Sequence, residues 1–243
     1  DADIIAGYSL FTNDEEHDIS LIITGGHSLN VKQYAISNIA ETRKDAVAFV
    51  SPQLTSVLNN IGQEASDIKQ DRSQLPSTSF AFFDSGWKYQ YDRYNDKYRW
   101  IPLNADIAGL CASQDEYFTS PGGVVKGQIK NCVKLAYSPQ KTDRDDLYQV
   151  GINPVITTPG QGTYLFGDKT LLSKTDAFDR INVRRLFIGL EKSIAKSAKY
   201  MLFEFNDTFT RRRFKNMTEP FLRTVQAKRG IARFKVVCDE TNN

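Results

Sequence analysis

The chain has 243 residues, of which 40% are apolar and 25% charged, and its formal net charge is +2. These proportions are typical of a globular protein with a sizeable core, and the length fits one large or two modest domains. The sequence holds no run of 18 apolar residues and no signal peptide, so we expect no membrane contact. It does not begin with Met, and we expect a core fragment of a longer protein.

Few residues could support catalysis or metal binding. The three cysteines, Cys111, Cys132 and Cys238, form no CxxC pair, and their odd number predicts free thiols in a reducing compartment. With only two histidines, a histidine-rich metal site is excluded. Ser28 in TGGHS is the best candidate for a nucleophile, but a glycine turn followed by a helix cap explains it. We therefore expect no catalytic residues, no metal and no cofactor.

Strands and helices alternate in the first part of the chain. Apolar runs predict strands over Ile19–Thr24, in DAVAFVS and in TSFAFFDS. Helices are predicted between them, one beginning after Ser28 and one over Leu54–Gln70. Strand–helix–strand units of this length form parallel sheets. The sequence therefore predicts an α/β fold (α+β overall) with a layered strand–helix–strand core domain.

A β-hairpin is predicted next, with Asn95-Asp96 at its turn. Pairing about this turn places Tyr91 opposite Trp100, Arg93 opposite Tyr98 and Asp92 opposite Arg99. Aromatic and basic residues on strands can stack single-stranded nucleic acid. Cross-strand packing with an ion pair on the other face is the alternative, and the acidic residues of the hairpin favour it. A helix over residues 104–118 and a β-rich stretch follow.

Charge is distributed unevenly along the chain. Residues 181–237 hold fourteen Lys or Arg and four Asp or Glu, a net charge of +10, which leaves −8 for the remainder. This asymmetry indicates contact with an acidic partner or with acidic surface on another copy of the chain. The polar stretch PQKTDRDD predicts a domain border. It separates a core domain at residues 1–144 from a smaller α+β C-terminal domain at residues 145–243.

Helix 181–201 is predicted to be amphipathic. At about 100° per residue, its apolar side chains, Leu186, Phe187 and Leu190 among them, form a face opposite Arg185. Four of its basic side chains lie within about 60° of one another. This basic ridge consists of Arg185, Lys192, Lys196 and Lys199. We expect the apolar face to pack and the basic ridge to be exposed.

A second C-terminal helix is predicted after FEFND, capped by Asn206 or Asp207 and rich in arginine. Pro220 predicts a kink or a break in this helix, and Gly230 ends it. The following IARFKVV predicts a strand. Its apolar Phe234 and Val236 would lie on one face, and its basic residues on the other.

The stretch PGQGTYLFGDKT nearly matches a nucleotide-binding loop. Gly162 and Gly167 have the Walker A spacing, but Asp168 comes before the Lys-Thr pair. The bulky residues at 163–166 suit a strand better than a phosphate cradle. We therefore predict a strand bracketed by glycine turns and no nucleotide site.

The same region resembles contractile phage tail sheath proteins, with a lean towards the T-even type. The motifs follow in the order of that family: DDLYQVGINPVITTPGQGTYLFGDKTL, INVRRLFIGLEKSI, FEFND and VVCDETNN. Lys169 and Phe205 stand where the family has Arg and Pro. Upstream, DIAGLCASQDEYFTSPGG is similar to a further family stretch. The resemblance covers residues 100–243 by motif and the beginning of the chain by layout.

The resemblance implies a structural protein that needs no catalysis. Such subunits form stacked hexameric rings around an inner tail tube and contract to drive the tube through the host envelope for genome delivery. It implies other sheath subunits, the tube protein, and baseplate and tail terminator proteins as partners. It also implies a place in the virion tail after assembly in the host cytoplasm, with no direct contact to nucleic acid.

In that family, terminal arms add strands to the sheets of neighbouring subunits, and the C-terminal domain faces the tube. The basic ridge is then the expected tube contact. Two alternatives stay open: a nucleic-acid-binding α/β module with a basic C-terminal domain, and an α/β enzyme. No known nucleic-acid motif appears in the sequence.

Overall fold

A four-stranded parallel sheet forms the centre of the computed structural model, which describes residues 1–114 and 119–240. Its strands are β1 Leu21–Ile23, β2 Val47–Val50, β3 Ala81–Asp84 and β7 Ile152–Asn153, in the order β1-β2-β3-β7. All three pairings are parallel. This confirms the predicted parallel sheet and adds a fourth strand that the sequence did not predict.

The helices of this part connect the strands. They are α1 Ala2–Ser9, α2 Leu29–Tyr34, α3 Glu41–Arg43, α4 Leu54–Val57, α5 Glu64–Ser73, α6 Asn104–Ser113 and α7 Lys141–Gln149. A π-helical stretch, Ala35–Ala40, joins α2 to α3 and makes one long helix, as predicted after Ser28. The hydroxyl of Ser28 does not cap this helix; it donates to Asp1 instead.

The single helix predicted over Leu54–Gln70 is wrong, because α4 and α5 are separate. Asn59 and Gly62 between them have positive φ angles, of 57° and 85°, which a continuous helix does not allow. The predicted end of α6 falls on residues 115–118, which lie outside the described residues. The β-rich stretch after it contains only a short strand, β6 Lys134–Leu135, among the residues that the structure describes.

Two hydrophobic clusters cover the opposite faces of the sheet. Ala48 and Val50 of β2 pack with the π-helical stretch, α5 and α7, whereas Val47 and Phe49 pack with α6 and the C-terminal segments. Successive side chains of a strand point to opposite faces, so β2 is buried completely. Phe49 contacts Phe82 of β3 with ring centroids 5.8 Å apart. The predicted layers are therefore present.

The hairpin consists of β4 Trp87–Asp92 and β5 Lys97–Pro102, and β6 joins it as a third strand. Its register differs by two residues from the prediction, since Tyr91 pairs with Tyr98 and Tyr89 with Trp100. The connection is a four-residue loop rather than a two-residue turn, because Asp92 accepts hydrogen bonds from the backbone N–H groups of the loop. A shift of two preserves the face of each side chain.

The stretch that nearly matches a nucleotide-binding loop contains a strand after a glycine turn, as predicted, and this strand is the second of a β-hairpin that was not predicted. Its strands are β8 Val155–Thr158 and β9 Gly162–Leu165. Gly160 and Gly162 have φ angles of 77° and 79°, which suit glycine in a tight turn. A 3₁₀ turn, Ala177–Asp179, follows this hairpin.

The C-terminal region is a pair of helices, α8 Ile181–Ala198 and α9 Thr208–Ala227, and a 3₁₀ turn at Lys199–Met201 extends α8. Pro220 lies inside α9, which continues on both sides of it. Helix α7 spans the border predicted between residues 144 and 145, and β7 beyond that border pairs with β3.

Candidate functional site

Helix α8 contacts the rest of the chain on two sides. Ile181 and Ile188 belong to the hydrophobic cluster on one face of the central sheet. Leu186 and Leu190 pack against Leu222 and Val225 of α9. The helix therefore lies between the sheet and α9. A single apolar face was predicted, and Ile188 lies outside it.

Two residues of the basic ridge are bound within the chain. The guanidinium of Arg185 donates to the backbone carbonyl of Cys111 at 2.6 Å. The ammonium of Lys192 pairs with Asp18 at 2.9 Å and with Asp45 at 3.3 Å. The first contact attaches α8 to α6, and the others attach it to the segments before β1 and β2. The expected exposure of the ridge is therefore wrong for these two side chains.

The other two residues of the ridge are exposed. Lys196 pairs with the second carboxylate oxygen of Asp18, but its side chain is 66% exposed. Lys199 is exposed at the end of α8. Both line a cleft of about 730 Å³ whose opposite wall carries Asp14, Glu15 and other acids. Hydrogen bonds from Lys196 and then Lys192 lower the pKa of Asp18 to about 2. The ridge and this acidic wall hold the end of α8 against the beginning of the chain.

Helix α9 begins as the sequence predicted. The carboxylate of Asp207 accepts from the backbone N–H of Thr210 at 2.8 Å, which caps the helix. Four basic residues follow in the first two turns: Arg211, Arg212, Arg213 and Lys215. Arg211 bonds to Asn206, and Arg212 is exposed. The beginning of α9 is therefore a basic surface.

Five large side chains are exposed between α8 and α9. We call this group the apolar tip: Tyr200, Leu202, Phe203, Phe205 and Phe209. Each is at least 64% exposed, and Phe203 is fully exposed. Sequence reasoning missed this group, although five such residues within ten positions around the junction of the two predicted helices were a usable signal. Exposed apolar clusters are typical of binding surfaces.

The segment after α9 alternates between half-buried and exposed side chains. Side chains 234, 236 and 238 are half-buried and alternate with exposed ones, and Phe234 and Val236 pack on the α8–α9 cluster. The predicted strand at 231–237 nevertheless forms no ladder with any other part of the described chain. The predicted faces of its side chains are therefore correct. The burial pattern is that of a strand, although no described strand pairs with the segment.

The aromatic side chains of the β4–β5 hairpin contact one another. Tyr89 stacks on Tyr98 with centroids 5.3 Å apart and meets Trp100 at 4.8 Å, while the ammonium of Lys134 lies over both Tyr89 and Trp100. The ion pair between Arg99 and Asp92, at 2.9 Å, is present as predicted. This arrangement matches the cross-strand packing interpretation.

A polar cluster is buried where the strands β1, β2 and β3 end. The carboxylate of fully buried Asp84 accepts from Ser51 at 2.6 Å and from the backbone of Gly86. The ammonium of Lys32 is buried nearby without a hydrogen-bond partner among the described residues. Burial raises the pKa of Asp84 to about 7 and lowers the pKa of Lys32 to about 8. Because these groups are closed off from solvent, their protonation states affect the stability of the fold.

Neither a metal site nor a membrane span appears in the part of the chain that the structure describes. Over residues 1–114 and 119–240, no group of three or more His, Cys, Asp or Glu side chains could hold a metal ion. Within the same ranges, every helix is too short or too polar to cross a bilayer.

Comparison with known families identifies the class of protein to which the chain belongs. Residues 2–171 match the family model of the phage tail sheath protein central domain, and residues 173–243 match that of the phage tail sheath C-terminal domain. The chain belongs to the phage tail sheath family. The two models meet at the segment that connects β9 to α8.

Three phage tail sheath proteins are similar in sequence over nearly the whole chain. The identity is 42% with the protein of Vibrio phage KVP40, 41% with that of Enterobacteria phage T4 and 40% with that of Salmonella phage ViI. These alignments cover 98–99% of this chain but only 38–40% of the relatives. The chain thus spans about two fifths of the length of these proteins, and the lean towards the T-even type is confirmed.

Solved structures of contractile systems share the fold. The sheath complex of an extracellular contractile injection system (PVC) in the contracted state has a TM-score of 0.73 at 19% identity. The alignment covers 97% of this chain and 67% of the chain of that sheath. The contracted helical sheath of the anti-feeding prophage has a TM-score of 0.72 at 18% identity, over 96% of this chain and 61% of its own. A sheath tail protein of Listeria innocua has a TM-score of 0.66 at 11% identity, over 95% and 51%.

Proposed function

We propose that this chain is the core of a structural subunit of a contractile tail sheath. Its copies polymerise as hexameric rings around an inner tail tube and contract to drive that tube through the host envelope. Family membership and the similar sheaths in the contracted state support this proposal. The subunit would act in the virion tail after assembly in the host cytoplasm, with the baseplate and tail terminator as further partners. The similar proteins are structural, so this role requires no catalysis.

The observation that carries the proposal is the strand-like segment at residues 233–236. It shows the burial pattern of a strand, and no described strand pairs with it. Unpaired backbone on a strand-like segment is a template for a strand from another chain. Strand addition connects subunits through backbone hydrogen bonds and tolerates rotation of the bodies that carry the strands. A contractile sheath needs this combination.

Proline substitution tests this connection. Arg233→Pro with Lys235→Pro removes two backbone N–H donors from one edge of the segment, because alternate residues point to the same edge. The matched control, Arg233→Ala with Lys235→Ala, removes the same charges and keeps the donors. Electron microscopy of the full-length protein should show sheath tubes with the control and none with the proline variant. Normal tubes from the proline variant would refute strand addition at this segment.

We further propose that the exposed end of the basic ridge faces the tube. Lys196 and Lys199 are exposed, whereas Arg185 and Lys192 of the ridge hold α8 in place. Exposed charges of this kind contribute little affinity but speed and orient assembly, and salt weakens them. Lys196→Glu with Lys199→Glu should slow assembly on preformed tubes at low salt, and Lys44→Glu on the same cleft serves as the control. Equal rates for the two variants would exclude the ridge as a tube contact.

The nucleic-acid alternative is not favoured. The aromatic residues that could stack on bases are engaged with one another in the hairpin. The family match accounts for the whole chain without it.

A further inference from the structure

We propose that the apolar tip of one copy inserts into a cavity at the opposite end of helix α8 in a second copy. This contact would join subunits head to tail. It rests on the proposed function, since it names a surface through which copies of the sheath subunit associate.

The apolar tip has the area that a protein contact needs. Its four aromatic side chains and Leu202 expose between 64% and 104% of their surface. With about 150–250 Å² for each aromatic side chain, the exposed apolar area is on the order of 800 Å². This exceeds the largest apolar patch of a typical monomer, which is about 300–600 Å². It equals the roughly 800 Å² per partner of a standard protein interface.

The backbone presents one of these side chains in an unusual way. Phe203 has a φ angle of 69°, in the left-handed region that glycine and asparagine favour. A bulky residue there is a genuine outlier, yet its ring is fully exposed and contributes no packing within the chain. The fold of the single chain gains nothing from this phenylalanine. A partner that buries the ring would account for it.

A matching cavity lies at the other end of α8. We call it the socket; it has a volume of about 330 Å³, and Tyr148, Pro154 and Phe166 supply its apolar walls. It is tied to the beginning of α8, because Tyr148 and Asp168 both bond to Arg180, which precedes the helix. Helix α8 has 18 residues, so socket and tip are separated by about 27 Å along its axis.

Charge favours the socket over a contact between two tips. Two carboxylates, Asp145 and Asp168, line the socket together with one guanidinium, that of Arg144, which lies over the ring of Phe166. Basic residues at the beginning of α9, Arg212 among them, follow the apolar tip directly. Tip against socket brings opposite charges together, whereas tip against tip would bring the basic residues of both copies together. The contact is therefore heterologous, and contacts of that kind generate rings or open helical stacks.

Complementation between two variants tests the contact. The tipless variant is Phe203→Ser with Phe205→Ser, and the socketless variant is Phe166→Ser with Ser120→Trp, which removes one wall and fills the space. Ile61→Ser removes an equally exposed apolar side chain elsewhere and is the control. Sedimentation velocity between about 10 and 500 μM measures the association of each chain, and this range corresponds to dissociation constants in the micromolar range.

The wild-type chain and the control should form concentration-dependent oligomers, and each of the two variants alone should be a monomer. An equimolar mixture of the variants should form dimers and nothing larger, because one intact tip and one intact socket remain. Failure of the mixture to dimerise, or a monomeric wild-type chain at the highest concentration, would refute the contact. Each variant must give a circular dichroism spectrum like that of the wild type. If the tipless variant fails this check, Phe205→Ser alone replaces it, and if the socketless variant fails, Asp145→Arg alone replaces it.

Phe203→Gly separates this role from a structural one. Glycine relieves the left-handed backbone, so thermal stability should be unchanged or higher while association falls at least tenfold. A variant that lost stability instead would show that Phe203 serves the fold. Full-length tipless protein that still builds normal sheath tubes would overturn this contact and leave the proposed function intact. Absence of tubes from the full-length wild type would overturn the proposed function.

Discussion

Replacing Asp84 by asparagine should change how stability depends on pH. Burial raises the pKa of this carboxyl to about 7, whereas an unfolded aspartate titrates near 3.9. Between these values the folded chain holds a proton that the unfolded chain releases. The free energy of unfolding of the wild type therefore falls as pH rises through this window, by about 1.4 kcal/mol per unit. From pH 5 to pH 7.5 the loss is about 2–3 kcal/mol.

The Asp84→Asn variant cannot ionise at this position and avoids that loss. Its amide oxygen can still accept from Gly86, but its NH₂ group faces Ser51, so we expect it to be about 1 kcal/mol less stable than the wild type at pH 5. At pH 7.5 it should be more stable than the wild type. The two lines of stability against pH should therefore cross between pH 5 and pH 7.5, and their slopes should differ.

Urea unfolding followed by circular dichroism measures both free energies at each pH. Asp3→Asn, which changes an exposed acid of α1, controls for the loss of one negative charge and should run parallel to the wild type. The pKa of Lys32, lowered to about 8, affects only the range above pH 8, where stability rises with pH as the ammonium loses its proton. Parallel lines for Asp84→Asn and the wild type from pH 5 to 7.5 would show that Asp84 titrates normally and that the cluster is hydrated.

Three further changes probe the packing of the chain. Phe82→Ala should cost about 3–5 kcal/mol in the free energy of unfolding, since its ring is buried against Phe49, and a loss below about 1 kcal/mol would contradict the two-sided core. Asp207→Ala should lose about 1 kcal/mol with the cap of α9, whereas Asp207→Asn should retain most of it; equal losses would exclude capping. Asp18→Asn should weaken the attachment of α8 by at most about 1 kcal/mol, because the site is exposed. That difference should vanish as pH falls from 4 towards 2, where the lowered pKa of Asp18 lies, and a difference that persists at pH 2 would assign the effect to something other than ionisation.

Local pattern was enough to predict the layers, the helix pair and the strand that follows the turn at Gly160. These features follow from side-chain periodicity and glycine conformation, which neighbouring residues determine. Strand β7 could not be predicted in the same way: it is two residues long, and its pairing with β3 depends on residues about 70 positions apart. The register of β4–β5 failed because the side chain of Asp92 selects a longer loop.

The candidate site was predictable only in part. A helical wheel assigns Arg185, Lys192, Lys196 and Lys199 to one side of α8, but it carries no information on what lies opposite. Asp18 and Asp45, far away in sequence, occupy the place where we expected solvent. The exposure of the apolar tip likewise depends on the absence of a covering segment among the described residues, which no local pattern encodes.

Helix α8 belongs to two hydrophobic clusters at once, and this has a mechanical consequence. Ile188 fixes the helix to the central sheet, and Leu190, two residues later, fixes α9 to the helix. A force applied at the loop between α8 and α9 is therefore transmitted through a single rigid element to the sheet, with no flexible linker between them. If the subunit rotates on contraction as we propose, this continuity would make the helix pair and the sheet rotate together.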